Sequence, residues 1–534
     1  MKLIENLHFD NIRGDITGGI TAGVVALPFA IAMGLASGAG AIAGLYGAII
    51  TGFFAALFGG TGAQVSGPTG PMTVVMALIV TKYIALFPET GLAIAFTTVV
   101  LGGLFQIGFG LLRLGRFINL MPHTVTSGFM TGIGVIIIIL QIPQVLGFYD
   151  IKGSTTGIFS QLGDVENYFV NPGAMTLAII TLLVVYLLPK KVGKFVPSPL
   201  FALITGTLVL FFFPDFFSSN AEPLNKMILG NIPTGLPSFQ FPIWEASIVL
   251  DMIASGLMLA VLGSIDSLLT SLVADEITRT HHKSDRELIG QGIGNTVSGL
   301  FGGLPGAGAT MRTMTNVKAG GLTPISGALH AVLLLAIVLG GAQYAQAIPL
   351  AVLGAILVKV GTDIIDWEYL KSLRTAPNSG ILIMLTVLAI TVFYNLMAAV
   401  GVGLVMASLI FLQRMTDVQI AGVVSIQTIE EASQLNETHQ ALIRAGDTLF
   451  YQLNGPMGFG SAKSIVKDFS NKSDYNRAIL DLSNVPTMDY TASRAIAEIC
   501  NICKENSAKI EVIGANNKVR NFLENIGIDS EIII

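Results

Sequence analysis

Long runs without a charged side chain dominate the chain. The first run, Ile16 to Thr81, contains no Asp, Glu, Lys or Arg. Because a spanning helix needs ~20 apolar residues, this run is long enough for two spans and part of a third. Further uncharged runs occur at 90–112, 117–149, 173–189, 195–214, 252–265, 288–311, 322–358 and 376–413. Together they predict an all-α polytopic membrane domain of roughly fourteen segments, some of them shorter than a full crossing.

The charged residues shift towards the C-terminal end. Only 12% of the chain is charged and 52% is hydrophobic, whereas soluble domains are roughly 25% charged. Of the 29 basic and 34 acidic residues, 25 fall within the last 120 positions. We therefore predict a membrane domain at residues 1–414, a linker at 415–439 and a soluble domain at 440–534. The net charge of −5 gives no reason to expect nucleic-acid binding.

The soluble part alternates β-rich stretches with amphipathic windows. Thr448 to Leu453 and Arg477 to Leu482 are typical of strands, while Thr491 to Cys503 and Lys518 to Ile526 have helical periodicity. This alternation predicts a small α/β domain. Both cysteines, Cys500 and Cys503, fall on the apolar face of a predicted helix, which favours core packing over redox chemistry.

Basic residues fix the predicted orientation. If the N-terminus is cytoplasmic, the outer loops carry only Lys82, Lys152 and Lys226, while most other basic residues of the membrane domain fall at inner ends. The soluble domain is then cytoplasmic and the chain is a multi-pass protein of the cell's inner (plasma) membrane. The inner-end residues are Lys2, Arg13, Arg113, Arg116, Lys190, Lys191, Lys194, Arg279, Lys283, Arg286, Lys318, Lys359, Lys371, Arg374 and Arg414.

Gly and Pro interrupt the apolar pattern at Ser66 to Thr73 and at Gly302 to Thr313. The two breaks occupy matching places in two halves of the membrane domain, a pattern typical of inverted-repeat transporters with a site at the midplane. Thr69 and Thr310 would lie at the N-termini of two half-helices, where unpaired N–H groups and the helix dipole attract an anion. The alternative is that the breaks are kinks that serve helix packing alone.

Two charged residues near these breaks are costly to bury. Arg312 either raises the positive potential at an anion site or pairs with a carboxylate. Asp266 shares a helix face with Thr270, and the carbonyls of Gly306 or Gly308 would complete a set of oxygen ligands for a small cation. Sodium fits that set, and a proton on Asp266 would also serve as coupling ion.

Three motifs make the chain resemble the SulP/SLC26 family of anion transporters with a C-terminal STAS domain. They are Gly263-Ser-Ile-Asp266-Ser-Leu-Leu-Thr270, Ile289-Gly-Gln-Gly-Ile-Gly-Asn295 and Gly306-Ala-Gly-Ala-Thr-Met-Arg312. They are most similar to the sodium-dependent bicarbonate transporters of the BicA type. The resemblance implies a seven-plus-seven inverted repeat, a core domain moving against a gate domain, and a homodimer.

The resemblance also implies ligands for particular residues. It puts bicarbonate at Thr69, Ala309 and Thr310, and sodium at Asp266, Thr270 and Gly308, with Thr310 shared between the two ions. In the STAS domain the family pattern of a phosphorylatable Ser after an Asp is absent, because Asp489 precedes Tyr490 and Thr491. Thr491 could take the place of that serine or cap a helix, and we predict the cap.

The sequence therefore predicts secondary active uptake of bicarbonate with sodium as coupling ion, and no other cofactor. One alternative is a proton-coupled sulfate or dicarboxylate carrier of the same fold. Another is a membrane-anchored signalling protein that acts through its STAS domain. An enzyme is not expected, because no nucleophile–base pair or metal constellation accompanies Asp266 and Arg312.

Overall fold

The computed structural model describes residues 8–116, 122–149, 151, 155–163, 170–189, 192, 197–217, 227–230, 235–340, 346–394, 396–427, 448–473 and 475–534. Lys2, Lys152, Lys190, Lys191, Lys194 and Lys226 lie outside these residues. So do 428–447, which hold part of the predicted linker and the start of the predicted soluble domain. The chain forms two compact units, Met1–Leu404 and Val405–Ile534.

In the first unit, the described residues form helices and two two-residue strands. Its helices in the first half are α1 (Ile12–Ala36), α2 (Ala41–Phe58), α3 (Gly70–Leu86), α4 (Gly91–Leu111), α5 (His123–Leu146), α6 (Thr155–Gly163), α7 (Pro172–Leu187), α8 (Ser198–Phe212) and α9 (Pro214–Phe217). Strand β1 (Ser66–Gly67) precedes α3.

The second half repeats this order. It contains α10 (Val249–Thr278), α11 (Ser284–Leu300), strand β2 (Ala307–Gly308), α12 (Thr310–Lys318), α13 (Pro324–Gly340), α14 (Leu350–Ile364), α15 (Trp367–Ser372), α16 (Asn378–Phe393) and α17 (Leu396–Ala421). Without the short helices α6, α9 and α15, the described residues hold seven membrane segments in each half. The predicted seven-plus-seven fold is thereby confirmed.

Several segments are too short to cross a bilayer alone. Six helices in the described part of the chain have the length and apolar composition of a full span, and the others are shorter. Helix α12 is the extreme case with 9 residues. This matches the prediction of half-helices, because irregular backbone at membrane depth is tolerated only where protein or a water-filled cavity surrounds it.

The helices of the first unit form two bundles. In the core bundle, α11 packs against α2 and α4, α13 packs against α1 and α2, and α10 packs against α4, α11 and α12. In the gate bundle, α5 packs against α14 and α16, and α7 packs against α8 and α14. Helices α1 and α3 of the core bundle meet α14, α8 and α5 of the gate bundle.

Small residues let the core helices approach closely. A Cβ added at Gly103 of α4 would lie 2.6 Å from the Gly292 carbonyl oxygen of α11, and a Cβ at Gly292 would lie 2.6 Å from the Gly103 carbonyl oxygen. Small residues at interfaces allow backbone-to-backbone packing in membrane bundles. Gly292 belongs to the second family motif, so that motif contributes directly to packing.

The second unit contains a four-stranded mixed sheet in the order β3-β4-β5-β6. Strand β3 (Val424–Ile426) runs antiparallel to β4 (Thr448–Asn454), while β5 (Arg477–Asn484) is parallel to β4 and to β6 (Lys509–Ile513). The helices are α18 (Phe459–Ser470), α19 (Tyr490–Glu505) and α20 (Asn517–Asn525). This confirms the predicted α/β domain.

Both cysteines lie in the core of this unit, as predicted. Cys500 and Cys503 on α19 pack among the buried residues of strands β4, β5 and β6. Burial raises the pKa of each thiol to about 11, so both are protonated at neutral pH.

The predicted cap at Thr491 is wrong. Helix α19 begins one residue earlier, at Tyr490, and its N-cap is Asp489, whose Oδ1 accepts a 2.8 Å hydrogen bond from the Ala492 N–H. The Asp489 Oδ2 also accepts a 2.8 Å bond from the Phe459 N–H at the start of α18. A carboxylate is as good a cap as a hydroxyl, and here it ties two helix N-termini together.

Candidate functional site

The two Gly/Pro breaks meet side by side in the core bundle. Strands β1 and β2 pair antiparallel, with Ser66 opposite Gly308 and Gly67 opposite Ala307. The Ala309 N–H extends the pairing by donating to the Val65 carbonyl at 2.9 Å. Because each strand has only two residues, the helices that follow them begin close to each other although the strands run in opposite directions.

Helix α3 begins at Gly70 with Thr69 as N-cap, and helix α12 begins at Thr310 with Ala309 as N-cap. Neither N-cap side chain hydrogen-bonds to the first turn of its helix. The first-turn N–H groups therefore remain available for another acceptor. Thr69 and Ala309 are buried, and the Thr69 Oγ1 has no hydrogen-bond partner. Two adjoining helix N-termini with these features form an anion-binding geometry.

Arg312 lies in the first turn of α12 and is almost fully buried. Its Nη2 donates to the Pro68 carbonyl, whereas its Nη1 has no hydrogen-bond partner. Gly67 makes room for this guanidinium, because a Cβ there would lie 2.7 Å from Nη1 and its φ of +154° is rarely adopted by other residues. Arg312 interacts electrostatically with Asp266 without a direct ion pair. The guanidinium therefore adds positive charge beside the two helix N-termini.

The predicted cation ligands lie around β2. Thr270 of α10 is fully buried, and its Oγ1 donates to the Gly308 carbonyl at 3.0 Å and lies 2.8 Å from the Thr310 Oγ1. Asp266 lies one helical turn before Thr270, is buried, and its Oδ2 has no hydrogen-bond partner. A buried carboxylate oxygen without a donor is costly unless a cation or proton binds it. Carboxylate, hydroxyl and carbonyl oxygens form a donor set that suits a hard cation.

A cavity of about 440 Å³ lies between the two bundles. All but one of the predicted site residues line it, the exception being Thr270, which lies behind Gly308. The gate bundle contributes the other wall, which includes Lys359, Val360 and Asp363 of α14. The site residues on the core wall are Thr69, Asp266, Gly308, Ala309, Thr310 and Arg312.

The buried carboxylate of Glu287, which was not among the predicted site residues, holds the segment that precedes β1. Glu287 of α11 accepts hydrogen bonds of 2.8 to 2.9 Å from the Gly60 N–H, the Thr61 N–H, the Gln64 amide and the Gln291 amide. Gln291 also donates to the Ser66 Oγ in β1 at 2.5 Å. The i, i+4 spacing of Glu287 and Gln291, at the point where the charged first turn of α11 gives way to an uncharged stretch from Leu288, is the signal that could have identified this pair.

Asn295 plays the same part for the segment before β2. Its Nδ2 donates to the Gly306 carbonyl at 2.9 Å and its Oδ1 accepts from the Gly306 N–H at 2.7 Å. Helix α11 thus holds both Gly/Pro breaks with one face, through Gln291 and Asn295. The second family motif ends at Asn295, so its polar residues also support the site.

Comparisons with known proteins show the family to which the chain belongs. The sequence profile described as the sulfate permease family matches residues 12–387, and that of the STAS domain matches residues 439–534. The chain therefore belongs to the sulfate permease family, the SulP/SLC26 anion transporters with a STAS domain, and is a multi-pass membrane protein. The predicted family membership is confirmed.

Particular relatives are more informative about the branch of the family. The chain is 44% identical over 98% of its length to the bicarbonate transporter BicA of Synechocystis sp., covering 92% of that protein. It is 32% identical over 91% of its length to the putative sulfate transporter YvdB of Bacillus subtilis, covering 88% of that protein.

Solved structures of transporters match the fold of this chain. The transmembrane domain of a cyanobacterial BicA matches with a TM-score of 0.68 and 47% identity, over 75% of this chain and 100% of that one. Murine Slc26a9 in the inward-facing state matches with a TM-score of 0.81 over 99% of this chain and 90% of that one. At 18% identity, the latter likeness shows the fold alone. These relatives are transporters.

Proposed function

We propose that the chain imports bicarbonate together with sodium. The observation that carries the proposal is the pairing of β1 and β2, which brings two uncapped helix N-termini beside a buried carboxylate with an unpartnered oxygen. Similarity to two bicarbonate transporters, at 44% and 43% identity, supports the choice of anion. Bicarbonate would bind at Thr69, Ala309 and Thr310, near Arg312.

Charge balance supports coupling between the two ions. Without ligands, Asp266 and Arg312 give the core wall a net charge of zero. Sodium at Asp266, Thr270, Gly308 and Thr310 would add one positive charge, and bicarbonate would then neutralise it. Either ion alone would leave an uncompensated charge in a low-dielectric site, which is unfavourable. Thr310 would contact both ions and Gly308 lies in the strand that precedes it.

The two bundles suggest how access would alternate. The core bundle holds every proposed ligand residue, and the gate bundle supplies the opposite wall of the cavity. Movement of the core bundle past the gate bundle, in an elevator-like manner, would carry both ions across without rearranging the site. We further propose a homodimer in the plasma membrane, with the N-terminus and the STAS domain (440–534) in the cytoplasm and the transport domain at residues 1–414.

The test is uptake of labelled bicarbonate and, separately, labelled sulfate into proteoliposomes at fixed pH, each with and without an inward sodium gradient. Protein-free liposomes correct for label that enters as carbon dioxide. We expect bicarbonate uptake that depends on sodium, and its loss in Asp266→Ala and Thr69→Ala variants that remain folded. Sulfate uptake driven by a proton gradient and indifferent to sodium would overturn the substrate and the coupling ion.

A further inference from the structure

The gate wall of the cavity carries an ion pair that the proposed transport site does not use. Lys359 and Asp363 lie one turn apart on α14, their side chains form a salt bridge, and both line the cavity. The Lys359 Nζ also lies 5.3 Å from the centroid of the Tyr186 ring of α7. Both neighbours belong to the gate bundle, so this positive charge is fixed to the wall opposite the core site.

Helix stability does not explain this pair. In an i, i+4 pair the acidic residue is better placed N-terminal to the basic one, and here the order is reversed. Asp363 also lies in the last turn of α14 (Leu350–Ile364), where the helix dipole disfavours a negative charge. Both side chains are partly exposed, at 21% for Lys359 and 35% for Asp363, and such pairs add little stability.

The surroundings of the pair favour a role in handling ions. Among the residues that the structure describes, four charged ones line the cavity, Asp266 and Arg312 on the core wall and Lys359 and Asp363 on the gate wall. The ammonium group of Lys359 is occupied by a carboxylate, the same kind of acceptor that bicarbonate presents. An incoming anion can therefore replace Asp363 at Lys359, and the released Asp363 carboxylate, whose side chain is partly exposed, can be solvated by water in the cavity.

We propose that Lys359 forms a second, weak anion subsite on the gate wall, which Asp363 masks when no anion is present. The inference rests on the proposed anion transport, and it adds a place where the anion stops between bulk water and the two helix N-termini. A positive charge along the path raises the rate of anion entry, and salt screens this effect. The carboxylate of Asp363 keeps the subsite weak, so the anion is not trapped there.

The test compares Lys359→Gln, Asp363→Asn and the double variant in proteoliposomes. Initial rates of sodium-driven bicarbonate uptake are measured against anion concentration at low and at physiological ionic strength. We expect Lys359→Gln to raise the KM for the anion roughly three- to ten-fold at low ionic strength and to flatten its salt dependence. Asp363→Asn unmasks the ammonium group, so we expect a lower KM and a steeper salt dependence.

Lys82→Gln is the matched control. Lys82 pairs with Asp251 at 2.5 Å, also with partly exposed side chains, and it does not line the cavity. Its removal is expected to leave the KM and the salt dependence unchanged. Thermal unfolding in detergent establishes that every variant is folded.

Two outcomes would overturn the subsite. One is a salt dependence in Lys359→Gln equal to that of the wild type, and the other is an identical loss of uptake in Lys359→Gln and Asp363→Asn, as expected of a purely structural pair. Failure of the transport proposal itself is distinguishable, because it appears in the wild type as an absence of sodium-dependent bicarbonate uptake. The variants are then compared with the anion that the wild type does carry.

Discussion

At the scale of single residues, the site depends on side chains whose burial is costly. Asp266, Arg312 and Glu287 are all buried, although charged groups at the centre of a membrane helix cost ~2.5–3.5 kcal/mol each on insertion scales. Glu287 recovers that cost through four N–H donors. Asp266 and Arg312 each keep an atom without a hydrogen-bond partner. These two residues can therefore bind a ligand, whereas Glu287 has a structural role.

The first prediction concerns Arg312. Replacing it with Lys keeps the charge but removes the planar group that reaches the Pro68 carbonyl from beside Gly67. Since a hydrogen bond to a charged group contributes ~1.5–3 kcal/mol, we expect Arg312→Lys to lower bicarbonate uptake about ten-fold or more. Arg312→Gln, which also lacks the charge, should lower it further. Uptake by Arg312→Lys at the wild-type rate would show that charge alone matters.

Site residues could be predicted from the sequence where a polar or charged residue stands out from an apolar segment, because burying such a residue costs free energy. Asp266 and Arg312 stand out because each interrupts an apolar segment, and Thr69 because it follows a Gly/Pro break. The spacing of Glu287 and Gln291 was a usable signal, but the distant partners of Glu287 were not predictable, because Gly60 and Thr61 are more than two hundred positions away along the chain. Lys359 was read from the sequence only as a basic residue at an inner helix end, which hid its place on the cavity wall.

At the scale of elements, two strands of two residues each determine the site. Pairing of β1 with β2 joins the two halves of the membrane domain and aligns helices α3 and α12. The pairing requires residues without a side chain where the two strands contact neighbouring helices. A Cβ at Gly308 would lie 2.4 Å from the Gln64 Nε2 and 3.0 Å from the Thr270 Cβ.

The second prediction follows from this crowding. Gly308→Ala would push Gln64 and Thr270 aside, so both proposed ion sites should be disturbed at once. We expect sodium-dependent uptake to fall by at least about ten-fold, equivalent to ~1.4 kcal/mol. Gly108→Ala in α4 is the control, because a Cβ there meets no atom within 4 Å. Equal uptake by the two variants would contradict the importance of the strand pairing.

The elements themselves were largely predictable from sequence. Helix α3 begins directly after Thr69 and α12 at Thr310, as the Gly/Pro breaks predicted. Two strands of the second unit extend beyond the predicted ends, by one residue to Asn454 and by two residues to Asn484. What periodicity could not predict was the pairing of β1 with β2, since two residues are too few to give a strand signal. The cap of α19 was missed because Asp489 and Thr491 are both suitable by residue type.

At the scale of the whole molecule, the proposed mechanism requires one-sided access to the cavity. Met311 of α12 lines the cavity on the core wall and is 56% exposed. A cysteine substituted at this position would therefore report from which side of the membrane the cavity can be reached. The native thiols of Cys500 and Cys503 are buried and protonated at neutral pH, so they give little background in thiol labelling.

The third prediction uses that property. In oriented proteoliposomes, a membrane-impermeant maleimide should label Met311→Cys from one side of the membrane only. Bicarbonate and sodium together should slow the labelling several-fold. Phe241→Cys is the control, because Phe241 is 81% exposed and lies outside the cavity lining, so bicarbonate and sodium should leave its labelling unchanged. Labelling of Met311→Cys at equal rates from both sides would contradict one-sided access.

The antiparallel pairing of β1 and β2 also bears on how the family diversifies. The acceptors and donors that pair the two strands belong to the main chain, and glycines at positions 67 and 308 keep them free of side-chain bulk. Substitutions elsewhere on the wall can therefore alter the lining of the cavity while the frame of the proposed anion site stays unchanged. A lineage can acquire a new cargo through a few substitutions around a constant scaffold, and relatives named for bicarbonate and for sulfate are the expected products of such a history.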